Sequence, residues 1–194
     1  MKAYIKNYCV GCGACKSLNQ AELKKDKKGY LYPADGNQDW LEKICPAAGV
    51  HVASMSENSW GRKKAVYYGW SSDNLVRENA SSGGVLTELA AFMLEQKLVD
   101  EVLHTCVDDQ CPSKTKICYS TTRKQLVKRC GSRYSISHPL AELHKLDSKK
   151  RYLFIGKPCD VVALRNLQKI EPKWKEIIPY VFSFSVQFFV NFLM

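Results

Sequence analysis

Hydrophobic and polar residues are patterned differently before and after residue 65 of this 194-residue chain. The first 53 residues form short polar segments interrupted by Gly, Pro, Asn and Asp, and apolar runs are few. Residues 54–64 (SMSENSWGRKK) have the composition of a linker. From residue 65 onward, short apolar runs alternate with amphipathic stretches. We therefore predict two units, 1–56 and 65–194, that are joined by this linker.

The second unit has the pattern of an α/β domain. In residues 84–97, Leu86, Leu89, Ala90 and Met93 recur at helical spacing. The other predicted helices are 122–130, 139–146 and 161–169, and the predicted strands are 65–70, 99–107, 116–119, 152–155 and 177–184. Because strands alternate with helices, we expect a mixed, largely parallel sheet.

Composition narrows the class of protein. With 45% hydrophobic and 25% charged residues, the chain is neither disordered nor of low complexity. A formal charge of +10 favours anionic partners. The N-terminus lacks the apolar core of a secretory signal, and no stretch reaches the roughly 20 apolar residues of a membrane span. We therefore expect a cytoplasmic protein whose nine cysteines stay reduced, so that metal binding outranks disulfides.

Four of the cysteines form a metal-binding pattern. Cys9, Cys12 and Cys15 stand in a C-x-x-C-x-x-C run, and Cys45 is followed by Pro46. Two-residue spacings let successive thiolates reach different irons of one cubane, and bacterial ferredoxins use a similar run. Since only one such triplet occurs, Cys45 is predicted to complete a single iron–sulfur site. A structural zinc is the alternative, although zinc sites usually pair two C-x-x-C units or add histidines.

Three segments of the second unit have the features of a ligand site. Residues 79–85 place paired glycines at the start of a helix, where backbone N–H groups bind phosphate, although Ser-Gly-Gly is also an ordinary N-cap. Residues 130–134 (CGSRY) combine a glycine turn, a hydroxyl, a cation and an aromatic ring. Residues 154–160 (FIGKPCD) join a strand to a helix. Cys159 would lie near that helix N-terminus, where a thiol pKa is lowered, or would be a small core residue.

The ordered set of C-x-x-C-x-x-C…C-P, S-S-G-G, G-S-R-Y and G-K-P-C resembles the coenzyme F420 hydrogenase/dehydrogenase beta-subunit family over about residues 8–167. Members join a ferredoxin-like iron–sulfur segment to an α/β flavin-binding domain. The resemblance implies electron transfer between a 4Fe–4S cluster and FAD, and hydride exchange with coenzyme F420 or a comparable acceptor. The implied cluster ligands are Cys9, Cys12, Cys15 and Cys45, and the residues implied to lie near FAD are Ser82, Gly83, Gly84, Ser132, Arg133 and Tyr134.

The partners suggested by the resemblance are a redox protein such as ferredoxin or a hydrogenase/dehydrogenase subunit. The lysine-rich segments 24–28 and 149–151 would then dock an acidic partner, unless they are simply solvated faces. Nucleic-acid binding is not expected, because no motif for it accompanies the charge. The functional alternatives are a non-catalytic basic zinc module and a chain that keeps the cluster without the flavin.

Some features of the sequence yield no site. Cys106, Cys111 and Cys118 are expected to be core or loop cysteines. The histidines form no triad or metal arrangement, so no general acid or base is predicted. Residues 181–194 are uncharged and largely apolar. They lead us to expect a truncated or frame-shifted product, with an amphipathic partner-binding tail as the alternative.

Overall fold

The computed structural model describes residues 3–27, 30–49 and 64–184. Its N-terminal part consists of short helices around one antiparallel hairpin. These elements are α1 (Ala3–Asn7), α2 (Ala14–Ser17), β1 (Glu22–Lys25), β2 (Leu31–Ala34) and α3 (Gln38–Ile44), followed by a 3-10 turn at Pro46–Ala48. Residues 54–63 of the linker and the final ten residues of the sequence lie outside the described residues.

The C-terminal part contains a four-stranded sheet with helices on both faces. Its elements are α4 (Asn74–Asn79), α5 (Val85–Glu95), β3 (Glu101–Val107), β4 (Thr115–Ser120), α6 (Arg123–Arg129), a 3-10 turn at Leu143–Lys145, β5 (Tyr152–Gly156), α7 (Pro158–Ile170), α8 (Lys173–Ile177) and β6 (Tyr180–Ser183). The strand order is β4-β3-β5-β6. Only β3 and β4 pair antiparallel, whereas β3 with β5 and β5 with β6 are parallel. The predicted mixed, largely parallel sheet is confirmed.

Two of the predicted elements are wrong. Residues 65–70 form no strand, and Tyr67 and Tyr68 are 90% and 92% exposed, because no neighbouring strand pairs with this aromatic run. Residues 139–146 contain only a 3-10 turn. Two of their backbone N–H groups bind the cysteine segment: Leu140 N donates to Cys12 O, and His144 N donates to Ser17 Oγ. Lys145 N and Leu146 N donate only three residues back, as in a 3-10 turn. No helix in the described part of the chain is long and apolar enough to cross a membrane.

The hydrophobic core crosses the predicted boundary between the two units. Helix α5 packs on one sheet face, where Ala90 and Met93 join Val102 and Leu153. On the opposite face, α7 packs in a cluster that also includes residues of the cysteine segment. The main members of this second cluster are Cys12, Ala14, Ile44, Leu103, Leu140, Phe154, Ala163, Leu164 and Leu167. The cysteine segment is therefore held by the same core as the sheet.

A buried hydrogen bond joins side chains of the antiparallel strands β3 and β4. His104 is 7% exposed, and its Nε2 lies 2.8 Å from Ser120 Oγ. Arg129 Nη1 donates to the same hydroxyl at 3.0 Å. Burial, together with the nearby charge of Arg129, lowers the pKa of His104 to about 4. The imidazole is therefore neutral in the folded protein at neutral pH.

We expect the free energy of unfolding to fall as pH drops from about 6.5 toward 4. In this window His104 binds a proton when unfolded but not when folded, so protons favour the unfolded chain. By about pH 5 the loss should reach about 2 kcal/mol. Urea unfolding of wild type and His104→Gln at about pH 7 and 5 measures it. An equal pH dependence in both proteins would contradict this assignment.

Candidate metal centre and flavin segments

The four cysteines of the predicted site line one cavity. Cys12 and Cys15 are each 9% exposed, while Cys9 and Cys45 are half-buried. The hairpin of β1 and β2, followed by α3, returns the chain so that Cys45 reaches the first three cysteines. The remaining wall is mostly apolar and is formed by Val10, Gly13, Ala14, Leu23, Pro33, Trp40, Leu41, Ile44 and Ala163. Cysteines thirty residues apart in sequence thus line one mostly apolar cavity.

The conformation of the cysteine loop depends on Gly13. Its φ of +87° lies in the left-handed region, and it precedes the first residue of α2. A Cβ atom at Gly13 would lie 2.7 Å from Ala141 Cβ and 2.9 Å from the backbone N and Cα of Ala141. Only glycine therefore fits both the backbone angle and the contact. Because of this close approach, the cysteine loop packs against residues 137–141.

Backbone groups face the sulfurs. Gly11 N donates to Cys9 Sγ at 3.4 Å. Burial raises the pKa of all four thiols, to about 12 for Cys15, and backbone hydrogen bonds oppose the rise. The backbone groups responsible at the other three sulfurs are those of Ala14 for Cys12, Lys16 for Cys15, and Ala47 and Ala48 for Cys45. Such donors stabilise thiolates and tune iron–sulfur clusters.

Four thiols on one cavity are the set of donors that an iron–sulfur cluster requires. Within residues 3–27, 30–49 and 64–184, no three His, Cys, Asp or Glu side chains are arranged to share one metal ion. The four cysteines instead line a cavity with a volume of about 20 Å³. In a cubane the thiolates bind different irons, so they need not converge on a point. The ligand roles themselves remain a prediction.

The C-terminal part contacts the cysteine loop directly. His138 Nδ1 lies 2.8 Å from Gly11 O. Ser17 Oγ is 3.1 Å from His144 Nδ1. On the other side, the Asn166 amide of α7 donates to Ile44 O at 3.3 Å, next to Cys45. The loop is therefore fixed to the sheet domain by polar contacts as well as by the core.

Two of the predicted flavin segments lie side by side. Ser132 N donates to Ser81 Oγ. An added Cβ at Gly131 would lie 3.6 Å from both Asn79 O and Ser81 Oγ. The S-S-G-G and G-S-R-Y motifs, some fifty residues apart in the chain, therefore form one surface. Their role in binding FAD remains a prediction.

Charged side chains hold the S-S-G-G turn in place. Gly84 adopts a φ of +77° directly before α5. Ser71 N donates to Gly83 O at 2.7 Å, and Ser71 Oγ donates to Glu88 at 2.7 Å. Arg123 binds Glu88 from α6 and also pairs with Asp73 and Glu95. No sequence motif marks this network, because its members come from three separate segments, 71–73, 83–95 and α6.

The two other candidate flavin side chains differ in their surroundings. The Arg133 guanidinium donates to Ser132 O and Cys130 O, both at 2.9 Å, so it folds back onto its own loop. Tyr134 is 92% exposed. The ring of Tyr134 is therefore accessible to a planar ligand, whereas Arg133 shapes the loop beside it.

The predicted lowering of the Cys159 pKa is wrong. Cys159 is the second residue of α7 and is half-buried. Burial raises its pKa, and the negative charge of Asp160 raises it further. The charge of Lys157 and the backbone hydrogen bonds lower the pKa, but by less. The helix N-terminus favours a lower pKa, but burial of the thiol, followed by the charge of Asp160, has the larger effect.

The expectation that the cysteines stay reduced is wrong for one pair. Cys106 and Cys118 form a disulfide between β3 and β4, with Cα atoms 6.0 Å apart. They are diagonal neighbours in the strand register, since Cys106 lies opposite Lys116 and Cys118 opposite His104. Both are 3% exposed, which confirms that they are core residues. Cys111 is free.

Comparison with known proteins identifies the family. Residues 66–145 match the family model described as coenzyme F420 hydrogenase/dehydrogenase, beta subunit N-terminal. This region includes the S-S-G-G and G-S-R-Y motifs. The resemblance inferred from the sequence is therefore confirmed, and residues 66–145 belong to this family.

Several curated relatives agree with this assignment. A coenzyme F420 hydrogenase subunit beta from Methanococcus voltae is 27% identical over 116 residues, which cover 57% of this chain and 40% of that protein. An F420-dependent formate dehydrogenase subunit beta from Methanocaldococcus jannaschii is 32% identical over 103 residues, 50% and 26% of the two chains. A chloroplastic 7-hydroxymethyl chlorophyll a reductase from Oryza sativa is 25% identical over 166 residues, 84% and 34%.

The chain spans less than half the length of these relatives. Among solved structures, a chain of the xenon-derivatised F420-reducing NiFe hydrogenase complex from Methanosarcina barkeri matches with a TM-score of 0.48 and 22% identity. The match covers 59% of this chain and 40% of that one.

Proposed function

We propose that this chain is the electron-transfer part of an iron–sulfur flavoprotein oxidoreductase. In this proposal one 4Fe–4S cluster is held by Cys9, Cys12, Cys15 and Cys45. The observation that carries it is the meeting of these four cysteines around one apolar cavity, with backbone groups facing the sulfurs. Membership of residues 66–145 in a family of hydrogenase and dehydrogenase subunits supports the assignment to redox chemistry.

The proposed FAD site is the surface formed by the S-S-G-G and G-S-R-Y segments. Backbone N–H groups of Ser82, Gly83 and Gly84 would bind phosphate, since they precede an eleven-residue helix whose N-terminus carries partial positive charge. Ser132 and Arg133 would contribute a hydroxyl and a cation, and the exposed ring of Tyr134 would pack on the flavin. Bound flavin would convert one-electron steps into hydride transfer.

The external carriers are proposed from the relatives. Two of them are named as beta subunits of coenzyme F420 hydrogenase and of F420-dependent formate dehydrogenase. We therefore propose coenzyme F420 or ferredoxin as the external carrier, and a hydrogenase or dehydrogenase subunit as the protein partner. The positive charge of the chain would favour either anionic carrier.

Flavin content of anaerobically purified protein tests this proposal. We expect acid to release one flavin per chain, and dithionite to bleach a brown absorption that the flavin alone does not account for. Arg133→Met should weaken flavin binding about tenfold, because it removes charge-assisted hydrogen-bonding capacity. Lys128→Met, which removes an exposed cation on nearby α6, is the matched control and should bind flavin normally.

Three outcomes would count against it. A brown protein that releases no flavin would reject the flavoprotein assignment and favour a chain that carries the cluster alone. A colourless protein with stoichiometric zinc would favour the zinc module and reject both cofactors. Equal flavin loss in Arg133→Met and Lys128→Met would contradict the proposed location of the FAD.

A further inference from the structure

Asp160 is a fully buried acid with an unusual hydrogen-bond pattern. It is 0% exposed and occupies the third position of α7. Its Oδ2 accepts from Lys157 N at 3.1 Å and lies 2.7 Å from Lys157 Nζ. Its Oδ1 has no hydrogen-bond partner within the described residues. Capping the helix requires only one oxygen, so burial of the unpaired one, which typically costs about 1–3 kcal/mol, needs another explanation.

Asp160 lies one turn of α7 before a residue that lines the cysteine cavity. Residues three apart on a helix share a face, and Ala163, three residues after Asp160, lines the cavity together with Cys12. Cys12 and Ala163 also share the buried core cluster. Burial is the main cause of the raised pKa of Cys12, and the charge of Asp160 adds to it. Asp160 thus lies one helical turn before a residue that lines the cavity with Cys12, and its negative charge acts in the same direction as burial at that thiol.

Lys157 links the Lys157–Asp160 ion pair to residues 137–138, which contact the cysteine loop at Gly11. Its Nζ donates to Ser137 Oγ at 2.9 Å, and the adjacent His138 contacts Gly11 O. Lys157 follows the carboxyl end of β5, the edge at which α/β sheets commonly bind ligands. The ion pair thus lies between the cysteine loop and this edge.

Solvent screens the two charges of the pair unequally. The Lys157 side chain is 36% exposed, whereas that of Asp160 is 1% exposed. Charges in a low-dielectric interior interact more strongly than charges near water. In the cavity, the electrostatic potential of the buried carboxylate is therefore only partly cancelled by that of the more hydrated Lys157 ammonium group.

We propose that the carboxylate of Asp160 places a negative charge near the cluster and makes the cluster harder to reduce. This inference rests on the proposed function, because it requires the cluster to be bound by the four cysteines. Reduction adds one electron to the cluster and makes or breaks no bond, and a nearby carboxylate opposes the added charge. Asp160 is a positioning residue in this role, since it acts on the cluster through space and donates no ligand.

The reduction potential of the cluster tests the proposal. In an anaerobic dithionite titration of the full chain at about pH 8, followed by low-temperature EPR, we expect Asp160→Asn to raise the midpoint potential. A roughly tenfold change in the equilibrium constant for reduction is expected, which is about 59 mV for one electron. The fixed pH keeps proton binding out of the comparison.

Glu171→Gln is the matched charge control. Glu171 follows the last residue of the same helix and is also in an ion pair, 3.1 Å from Lys173 Nζ. It lies about 16 Å along the axis from Asp160. Its replacement removes one negative charge from the same helix far from the cavity, so the potential should stay at the wild-type value.

A second pair of variants distinguishes the effect of the Asp160 charge from the effect of its hydrogen bond to the helix N-cap. Asp160→Glu and Asp160→Gln place side chains of similar shape at the third helical position, and both residue types serve there in capping boxes. We expect the Glu variant to keep a potential near wild type and the Gln variant to shift upward like Asp160→Asn. A purely structural role would not distinguish Glu from Gln in the potential.

The outcomes separate this inference from the function on which it rests. A wild-type chain without a cluster would overturn both. A normal cluster whose potential is unchanged in Asp160→Asn and Asp160→Gln would overturn only the role of Asp160. The same holds if Glu171→Gln shifts the potential equally, or if only the Asp and Glu chains retain iron, since the carboxylate would then serve assembly.

Discussion

Replacing Cys12 by serine is expected to remove most of the bound iron. Cys12 is buried among apolar residues, so no water or other side chain can readily take the place of its sulfur. Losing an outer-shell partner alone lowers metal affinity roughly 10–100-fold, and losing a ligand should cost at least as much. The visible absorption of the anaerobic protein should fall with the iron.

The same substitution can be made at the other three cysteines, and Cys111→Ser is the control. Serine at Cys9, Cys15 or Cys45 should reduce iron in the same way. Cys111 is free and half-buried and lies on the loop between β3 and β4, so Cys111→Ser should keep full iron content. If the variants at Cys9, Cys12, Cys15 and Cys45 all retain wild-type iron, the proposed ligand set is wrong.

Gly13→Ala should destabilise the protein by roughly 2–6 kcal/mol. The substitution forces a side chain into the left-handed region, which costs about 1–3 kcal/mol. It also places the new methyl 2.7 Å from Ala141 Cβ and 2.9 Å from its backbone, and overpacking of this kind costs about 1–3 kcal/mol. Because Cys12 and Cys15 flank Gly13, iron retention should fall as well. Urea unfolding and iron analysis measure the two effects.

Gly49→Ala separates the two causes. Gly49 also has a positive φ, +143°, but a Cβ there would meet nothing within 4 Å. It should therefore show the backbone strain without the clash, and should retain the packing of the cysteine loop on residues 137–141. Loss of iron from Gly49→Ala equal to that from Gly13→Ala would show that the contact with Ala141 does not hold the cysteine loop in place.

Local patterns predicted the elements that depend on local physics. The spacing of Leu86, Leu89, Ala90 and Met93 predicted α5, which the structure confirms at Val85–Glu95. The apolar run at residues 152–155 predicted β5. The strand predicted at 65–70 and the helix predicted at 139–146 are wrong, because tertiary contacts decide both. The first lacks a partner strand, and the second donates two of its N–H groups to the cysteine segment.

The candidate site could be predicted only in part. Spacing grouped three cysteines and Pro46 identified Cys45 as the fourth, and the structure brings all four to one cavity. Spacing could not reveal that Asp160 is fully buried, since its environment comes from the packing of α7 on a distant segment. Nor could it pair Cys106 with Cys118, because that contact follows from the register of β3 and β4.

Iron, acid-labile sulfide and zinc, measured together on one anaerobic sample of the unaltered chain, test the central claim most directly. The four thiols around a single cavity predict about four irons and four sulfides per chain, with negligible zinc. One zinc per chain with neither iron nor sulfide would contradict the cluster and the electron-transfer function derived from it.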